Sequence, residues 1–309
     1  MMRISKFLIA IISGLVLSAN AMAADQLQLQ KVADNVYAIV GDLGNRTPEN
    51  LGNNATFGFV VTSDGVVLID SGGSYKGAAQ INDVIKRVTN KPVKIVINTG
   101  GQDHRWMGNG YFKKLGAKII ANKKAVEDQR TRAKDQLFAL SNLVGAEGLA
   151  GTIPVYADET FGDTMSFELG KTAFKVFHAG HAHTPGDSFV WLPKERVVFT
   201  GDIVFVERML GVQEDSKSST WIKSFEAIEA LKPVTIVPGH GHATSLKQAK
   251  ADTYGYLVFL RNAVAKFMKD GGSIADVGKI DQSKFNYLKN YDTLAGRNAQ
   301  QVYSEMQWE

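Results

Sequence analysis

The order of apolar, β-branched runs constrains the fold of this chain more than any other feature of the sequence. Residues 57–62 and 66–69 form a hairpin pattern around Ser63-Asp64-Gly65, followed by a helical pattern at 76–89 and a strand pattern at 93–97. A similar order follows, with strand patterns at 160–169, 172–177, 188–192, 196–200 and 234–237 and helical patterns at 221–231 and 245–269. Hairpins mixed with single crossovers predict an α+β fold in which two mixed β-sheets pack together and helices lie outside.

The first 23 residues have the pattern of a Sec-type signal peptide. Arg3 and Lys6 precede an apolar run at 7–19, and Ala21-Met22-Ala23 forms a small-x-small cleavage site. The alternative is an uncleaved membrane anchor, but the run is shorter than the roughly 20 residues that a spanning helix needs. We therefore predict a signal peptide at 1–23, a periplasmic or secreted protein, and one domain at 24–309 with a C-terminal helical extension.

The composition excludes several kinds of site. The 309 residues contain no Cys, so disulfides, Cys-ligated zinc, iron–sulfur clusters and thiol nucleophiles are ruled out. Any transition metal must then bind to His, Asp or Glu. The 35 basic and 31 acidic residues form no basic block of the kind that binds nucleic acid.

All six histidines lie in three Gly-rich loops, each directly after a predicted strand. His104 follows the strand at 93–97, three lie within 178–183, and His240 and His242 follow the strand at 234–237. A fourth strand end presents Asp202. Loops at strand ends are where catalytic groups gather on rigid scaffolds, and imidazole with carboxylate is a usual ligand set for zinc. Each group alone also has an ordinary interpretation as a solvated loop, a helix start or a turn.

These residues carry a family resemblance over nearly all of the sequence after residue 23. The chain resembles the metallo-β-lactamase superfamily at 58–62 and 66–72 (VVLIDSG), 182–187 (AHTPGD), 198–202 (VFTGD) and 237–241 (VPGHG), in family order. The resemblance implies an αββα sandwich that holds one or two metal ions, usually zinc. It also implies hydrolysis of esters, thioesters, lactams or phosphodiesters.

The resemblance assigns expected roles to four residues. His183 matches a ligand of the first metal site, Asp202 the carboxylate that bridges two metals, and His240 the last ligand of the second site. Asp70 matches an acid that supports the site loop from behind.

The signature loop H-x-H-x-D-H is altered and can be aligned in two ways. In the first alignment, Asp103-His104 is the motif's Asp-His pair, and Thr99 and Gly101 stand at the two earlier His positions. This alignment keeps a complete second site, formed by Asp103, His104, Asp202 and His240.

The second alignment is anchored on Asn98-Thr99. It puts Gly100 and Gln102 at the two His positions, and Arg105 where a cation would repel the metal. We favour the first alignment because it keeps a working ligand set. The first predicts that Asp103 points into the site; the second predicts that Gln102 points in and Asp103 out.

The resulting prediction is a zinc-dependent hydrolase with one ion more expected than two. Asp103 or Asp202 would act as general base, and His183 would polarise the substrate carbonyl or protonate the leaving group. The predicted metal ligands are Asp103, His104, His183, Asp202 and His240.

Further residues are candidates for the same site. Gln102 and His181 are additional ligand candidates. Arg105 and Trp106 either shape the pocket mouth, with Arg105 holding an anionic group, or belong to a helix start with Trp106 packed inward. The segment 207–219 is expected to be a flexible loop over the pocket, which Phe205, Met209 and Leu210 would line.

Two other functions stay open. If the metal site is degenerate, the protein is a periplasmic binding or accessory protein on the same fold. The other alternative is a β-lactamase in the strict sense. Asp202 at the bridging position excludes the family classes that use a Cys ligand. The expected partner is a small-molecule substrate, with no nucleic acid and no membrane after signal cleavage.

Overall fold

A computed structural model describes residues 27–309, and the predicted signal peptide at 1–23 lies outside them. The first sheet has seven strands, β1 (Gln28–Ala33), β2 (Val36–Val40), β3 (Thr56–Val61), β4 (Val66–Ile69), β5 (Val93–Asn98), β6 (Lys118–Asn122) and β7 (Glu159–Phe161). They follow chain order, with antiparallel pairing from β1 to β4 and parallel pairing from β4 to β7.

The second sheet has five strands, β8 (Thr164–Leu169), β9 (Thr172–Phe177), β10 (Phe189–Leu192), β11 (Val197–Phe199) and β12 (Thr235–Val237). Their order in the sheet is β12-β11-β10-β9-β8. Within this sheet β11 and β12 pair in parallel, while the other neighbours are antiparallel.

The two sheets pack face to face around a shared apolar core. Val60 and Ile97 of the first sheet lie in the same buried cluster as Val190 and Phe199 of the second. Gly58 in β3 permits this approach, because a Cβ there would come within 2.1 Å of the Phe199 ring. The predicted pair of mixed sheets is therefore confirmed.

Helices cover both outer faces. Ile81 and Phe112 pack onto the outer face of the first sheet, and Trp221 and Leu260 onto that of the second. The helices are α1 (Tyr75–Lys86), α2 (Asp103–Trp106), α3 (Asn109–Lys114), α4 (Lys123–Gly148), α5 (Ser218–Ala230), α6 (Leu246–Ala249), α7 (Gly255–Lys269) and α8 (Tyr291–Met306). Within residues 27–309, no helix combines the length and the apolar character needed to cross a membrane.

The sheet topology brings the predicted site loops to one edge. β4 and β5 run parallel, so Asp70 and the loop before His104 leave the first sheet on the same side. β11 and β12 also run parallel, which places Asp202 and His240 together at the end of the second sheet. A backbone hydrogen bond from Thr56 to the carbonyl of Gly239 joins the two sheets at this edge.

Candidate metal centre

Three loops converge on a buried triad formed by His104, Asp202 and His240. One ligand atom from each lies within 4.8 Å of the other two, and each residue is at most 3% exposed. His104 Nε2 is 3.1 Å from Asp202 Oδ2, and His240 Nε2 is 3.2 Å from Asp202 Oδ1. The structure thus brings together three of the five side chains predicted as metal ligands.

Arg105 lies beneath the triad and is completely buried. Its Nε and Nη2 donate to the two oxygens of Asp202, and Nη1 donates to Asp70 at 3.0 Å. The remaining donors reach the carbonyl oxygens of Thr56 and Gly239. Burial raises the pKa of Asp202, but Arg105 and then His104 lower it by more than burial raises it, so the pKa lies well below its usual range. Arg105 therefore keeps Asp202 charged and does not lie at the pocket mouth.

Asp70 supports this arrangement from behind, as the resemblance implies. Its carboxylate accepts hydrogen bonds from the amide and hydroxyl of Thr99 at 2.7 and 2.8 Å, in addition to the bond from Arg105. These bonds hold the start of the loop that carries His104.

Asp103 does not join the triad. Its carboxylate forms an ion pair with Arg46 and accepts the backbone amide of His104 at 2.8 Å. Burial opposes ionisation, but Arg46 and His104 outweigh it and bring the pKa of Asp103 far below its usual range. Asp103 faces Arg46, which lies in the loop between β2 and β3, and this ion pair holds its carboxylate away from the triad.

Gln102, by contrast, lines a cavity of about 80 Å³ above the triad, together with His104, His183 and His240. Its Nε2 lies 3.4 Å from Asp103, and its buried Oε1 has no hydrogen-bond partner. The side chain of Gln102 therefore faces the cavity, and that of Asp103 faces Arg46. The second alignment of the signature loop predicts this arrangement.

His183 is buried in the wall of this cavity against the rings of Phe205 and Trp221. Its Nδ1 lies 3.0 Å from the carbonyl oxygen of Gly211, which makes Nδ1 the donor and leaves Nε2 with a lone pair. Burial lowers the pKa of His183 to about 4, so the side chain is neutral at pH 7.

Gly100 leaves no room for a histidine at the first signature position. A Cβ at Gly100 would lie 2.5 Å from Oδ1 of Asp187. Asp187 is itself buried and held by the amide and hydroxyl of Thr184. Burial, with the nearby charge of Asp202, raises the pKa of Asp187 to about 8.

The chain matches the family model of the metallo-β-lactamase superfamily over residues 52–240. The chain belongs to the metallo-β-lactamase superfamily. It is 28% identical over 249 residues to "Metallo-beta-lactamase type 2" from Elizabethkingia meningoseptica, covering 78% of this chain and 89% of the relative. The protein of the same name from Bacteroides fragilis is 23% identical, covering 71% and 80%.

The fold of the superfamily is also found by structure comparison. A metallo-β-lactamase from Pontibacter korlensis superposes with a TM-score of 0.61 at 20% identity, covering 75% of this chain and 99% of that protein. This likeness establishes the αββα fold.

The superfamily usually binds zinc, and this triad has donor atoms that could hold a metal ion. Two imidazoles and a carboxylate are the ligand types and the number found in catalytic zinc sites, and both Nε2 atoms face the same carboxylate. In the second alignment, Gly100 and Gln102 supply no imidazole at the two signature His positions.

The other predicted residues lie outside the triad. His181 bonds to the carbonyl of Asp215 at 2.6 Å rather than facing the cavity. Trp106 is buried, and its indole donates to the carbonyl of Gly101, which is the inward-packed alternative. Phe205 lines the cavity as predicted, whereas Met209 and Leu210 are fully buried in the core.

Sequence reasoning missed two arginines at the cavity. Arg46 donates to Nδ1 of His104 at 2.9 Å, and Arg208 donates to Nδ1 of His240 at 3.1 Å. Since Nδ1 then accepts in both rings, both Nε2 atoms carry the hydrogen that faces Asp202. No local pattern marks Arg46 or Arg208, because each is a single arginine in a polar or mixed loop.

Proposed function

We propose that this protein is a metal-dependent hydrolase of the superfamily that uses one ion, held by His104, Asp202 and His240. The substrate class is a small molecule with an ester, thioester, lactam or related bond. We also propose that the chain is exported and that residues 1–23 are removed. The observation that carries the proposal is the convergence of three buried ligand-type side chains at a cavity.

Zinc in a site of this kind supplies a Lewis acid and lowers the pKa of water toward 7. Arg105 keeps Asp202 ionised, as a metal ligand must be. His183 presents a neutral Nε2 that accepts a hydrogen bond or a proton from a water molecule or a substrate hydroxyl. Phe205 and Leu294 contribute apolar surface to the lining of the cavity.

Metal analysis combined with substitutions tests the proposal. We expect about one zinc ion per chain after purification or reconstitution, and hydrolysis of at least one member of a panel of esters, thioesters and lactams. His240→Ala should lose both properties while it keeps the far-ultraviolet circular dichroism of the wild type. His242→Ala is the matched control, because His242 lies two residues after His240 but is half-exposed and outside the triad, and it should retain the metal. Zinc content far below one ion with no gain on adding zinc would refute the proposal, as would metal loss in His242→Ala equal to that in His240→Ala.

A second candidate function is ligand binding without catalysis. The specific observation in its favour is that Arg46 and Arg208 donate to the two triad imidazoles. Metal-ligating histidines normally donate their second ring nitrogen to an acceptor, and an arginine offers none. A binding protein should keep its ligand in His240→Ala, whereas the hydrolase should lose turnover.

Two narrower points are tested separately. The curated relatives carry β-lactamase names, so the substrate panel includes penicillin, a cephalosporin and a carbapenem. Expression in a bacterial host followed by mass analysis of the periplasmic fraction should give a mature chain that begins at Ala24 or Asp25. An intact Met1 in the membrane fraction would favour the anchor.

A further inference from the structure

Asn298, in the C-terminal helix α8, holds the segment that follows Arg208 from behind. The side chain is completely buried. Its Oδ1 accepts the backbone amide of Val212 at 2.8 Å. Its Nδ2 donates to the carbonyl of Leu210 at 2.8 Å and to the hydroxyl of Tyr256 at 2.9 Å. A flipped amide would put a donor against the N–H of Val212 and an acceptor against the carbonyl of Leu210, so these contacts determine its orientation.

The peptide group between Gly211 and Val212 connects Asn298 to the cavity. Its N–H donates to Asn298, and its carbonyl oxygen lies 3.0 Å from Nδ1 of His183. The peptide is trans, and the N–H and C=O of a trans peptide group point in opposite directions. One planar group is therefore held at its N–H end by Asn298 and presents its C=O end to His183.

Further buried side chains fix Asn298 in turn. The hydroxyl of Tyr256 in α7 donates to Oε1 of Gln282 at 2.9 Å, and Nε2 of Gln282 donates to the carbonyl of Ala295 at 2.7 Å. Tyr256 and Gln282 are at most 1% exposed. A buried polar network whose members have partners rigidifies the structure around it. The place of the Gly211 carbonyl is thus set by contacts among α7, α8 and the segment between Arg208 and Val212.

We infer that Asn298 is a positioning residue for His183 and acts through the Gly211–Val212 peptide group. The fixed carbonyl selects the tautomer in which Nδ1 carries the hydrogen and Nε2 has a lone pair. The hydrogen bond to Asn298 also polarises the peptide group, which makes its carbonyl a stronger acceptor. The catalytic meaning of this tautomer rests on the proposed function, in which Nε2 of His183 accepts a hydrogen bond or a proton.

Nitrogen-15 NMR of histidine-labelled protein reports which ring nitrogen carries the hydrogen. The sample is the full-length protein at pH 7 after removal of metal with a chelator, and the signal that disappears in His183→Gln assigns the ring. In the wild type we expect hydrogen on Nδ1 of His183. Asn298→Leu keeps a similar branched shape but removes all three hydrogen bonds, and His183 should then show a mixture of both tautomers.

Tyr256→Phe is the matched control. It breaks the same buried network but leaves the bonds of Asn298 to Leu210 and Val212 in place. The melting temperature should fall in both variants, whereas the tautomer of His183 should change in Asn298→Leu alone. An unchanged tautomer in Asn298→Leu would overturn the inference. An equal change in Tyr256→Phe would overturn it too, because Asn298 would then act only through general stability.

The wild type alone also tests the inference if Asn298→Leu does not fold. Hydrogen on Nε2 of His183 would overturn it, as would exchange of the Val212 amide with solvent as fast as in an unfolded chain. These measurements use neither zinc nor turnover, so their outcome is separate from that of the proposed function. A protein that binds no zinc can still show the tautomer change, and a zinc hydrolase can fail to show it.

Discussion

Replacing Arg105 with methionine should be among the most destabilising single changes in this protein. Arg105 has no exposed surface, and all five of its N–H donors have acceptors: two oxygens of Asp202, one of Asp70, and two backbone carbonyls. Methionine keeps much of the volume but removes the charge. Two buried carboxylates then lose their cation, and removal of one partner from a buried ion pair costs about 3–5 kcal/mol.

Lysine at position 105 separates the effect of charge from that of geometry. An ammonium group keeps the charge but has three donors, so at least two of the five acceptors are left without a partner. Buried unsatisfied polar groups cost about 1–3 kcal/mol. We therefore expect Arg105→Lys to lie between the wild type and Arg105→Met.

Urea denaturation followed by tryptophan fluorescence measures both variants. The free energy of unfolding should fall in the order wild type, Arg105→Lys, Arg105→Met, with an unchanged m-value. Arg297→Met is the control at an exposed position and should stay within about 0.5 kcal/mol of the wild type. A loss below about 1 kcal/mol in Arg105→Met would refute the reasoning, because the carboxylates would then be stable without their cation.

Three further predictions concern residues around the triad. The folded-state pKa of His183 is lowered to about 4, so the unfolded state binds more protons between pH 4 and 6.5, and stability should rise with pH in that window. His183→Gln should remove up to about 3 kcal/mol of this dependence, as measured by urea denaturation at each pH, and an unchanged slope would contradict the assignment. Gly100→Ala should cost about 1–3 kcal/mol through its clash with Asp187, and a double-mutant cycle with Asp187→Ala should show a coupling of at least about 0.5 kcal/mol. Trp106→Phe should cost about 1–3 kcal/mol, because it removes the hydrogen bonds of the indole to the Gly101 carbonyl and to Oε1 of buried Gln136, without changing KM for any substrate found; a raised KM would place Trp106 at the pocket mouth.

Local sequence patterns predicted most of the strands. They did not predict β1, and the single strand predicted at 160–169 is wrong, because it is two strands, β7 and β8, that belong to different sheets. The hairpin before Asp70 and the strand before Asn98 appear where β-branched runs meet turn residues, because side-chain alternation and turn chemistry act over a few positions. The pattern at 245–269 was less complete. It predicts one long helix, whereas the structure has α6, a π-helical segment at Lys250–Tyr254, and then α7.

The site was predictable where a strand end and a family motif coincide. His183, Asp202 and His240 were found in this way, and His104 was common to both alignments of the signature loop. The loop itself could not be aligned from one sequence, because an Asp-His pair and an Asn-Thr anchor gave different registers. The contact that separates them is the ion pair of Asp103 with Arg46, 57 residues away along the chain.

The sequence by itself indicated two mixed sheets with helices outside, and it placed the histidines and a carboxylate at strand ends; the αββα fold was implied by the family resemblance. Apolar periodicity and turn residues are local properties, and together they decide where strands end. Only the tertiary structure decided which group faces each buried arginine: Asp202 above Arg105, Asp103 beside Arg46 and the His240 ring beside Arg208. These pairings join segments far apart in the chain, and whether a buried charge is balanced depends on the groups that folding brings within a few ångströms of it.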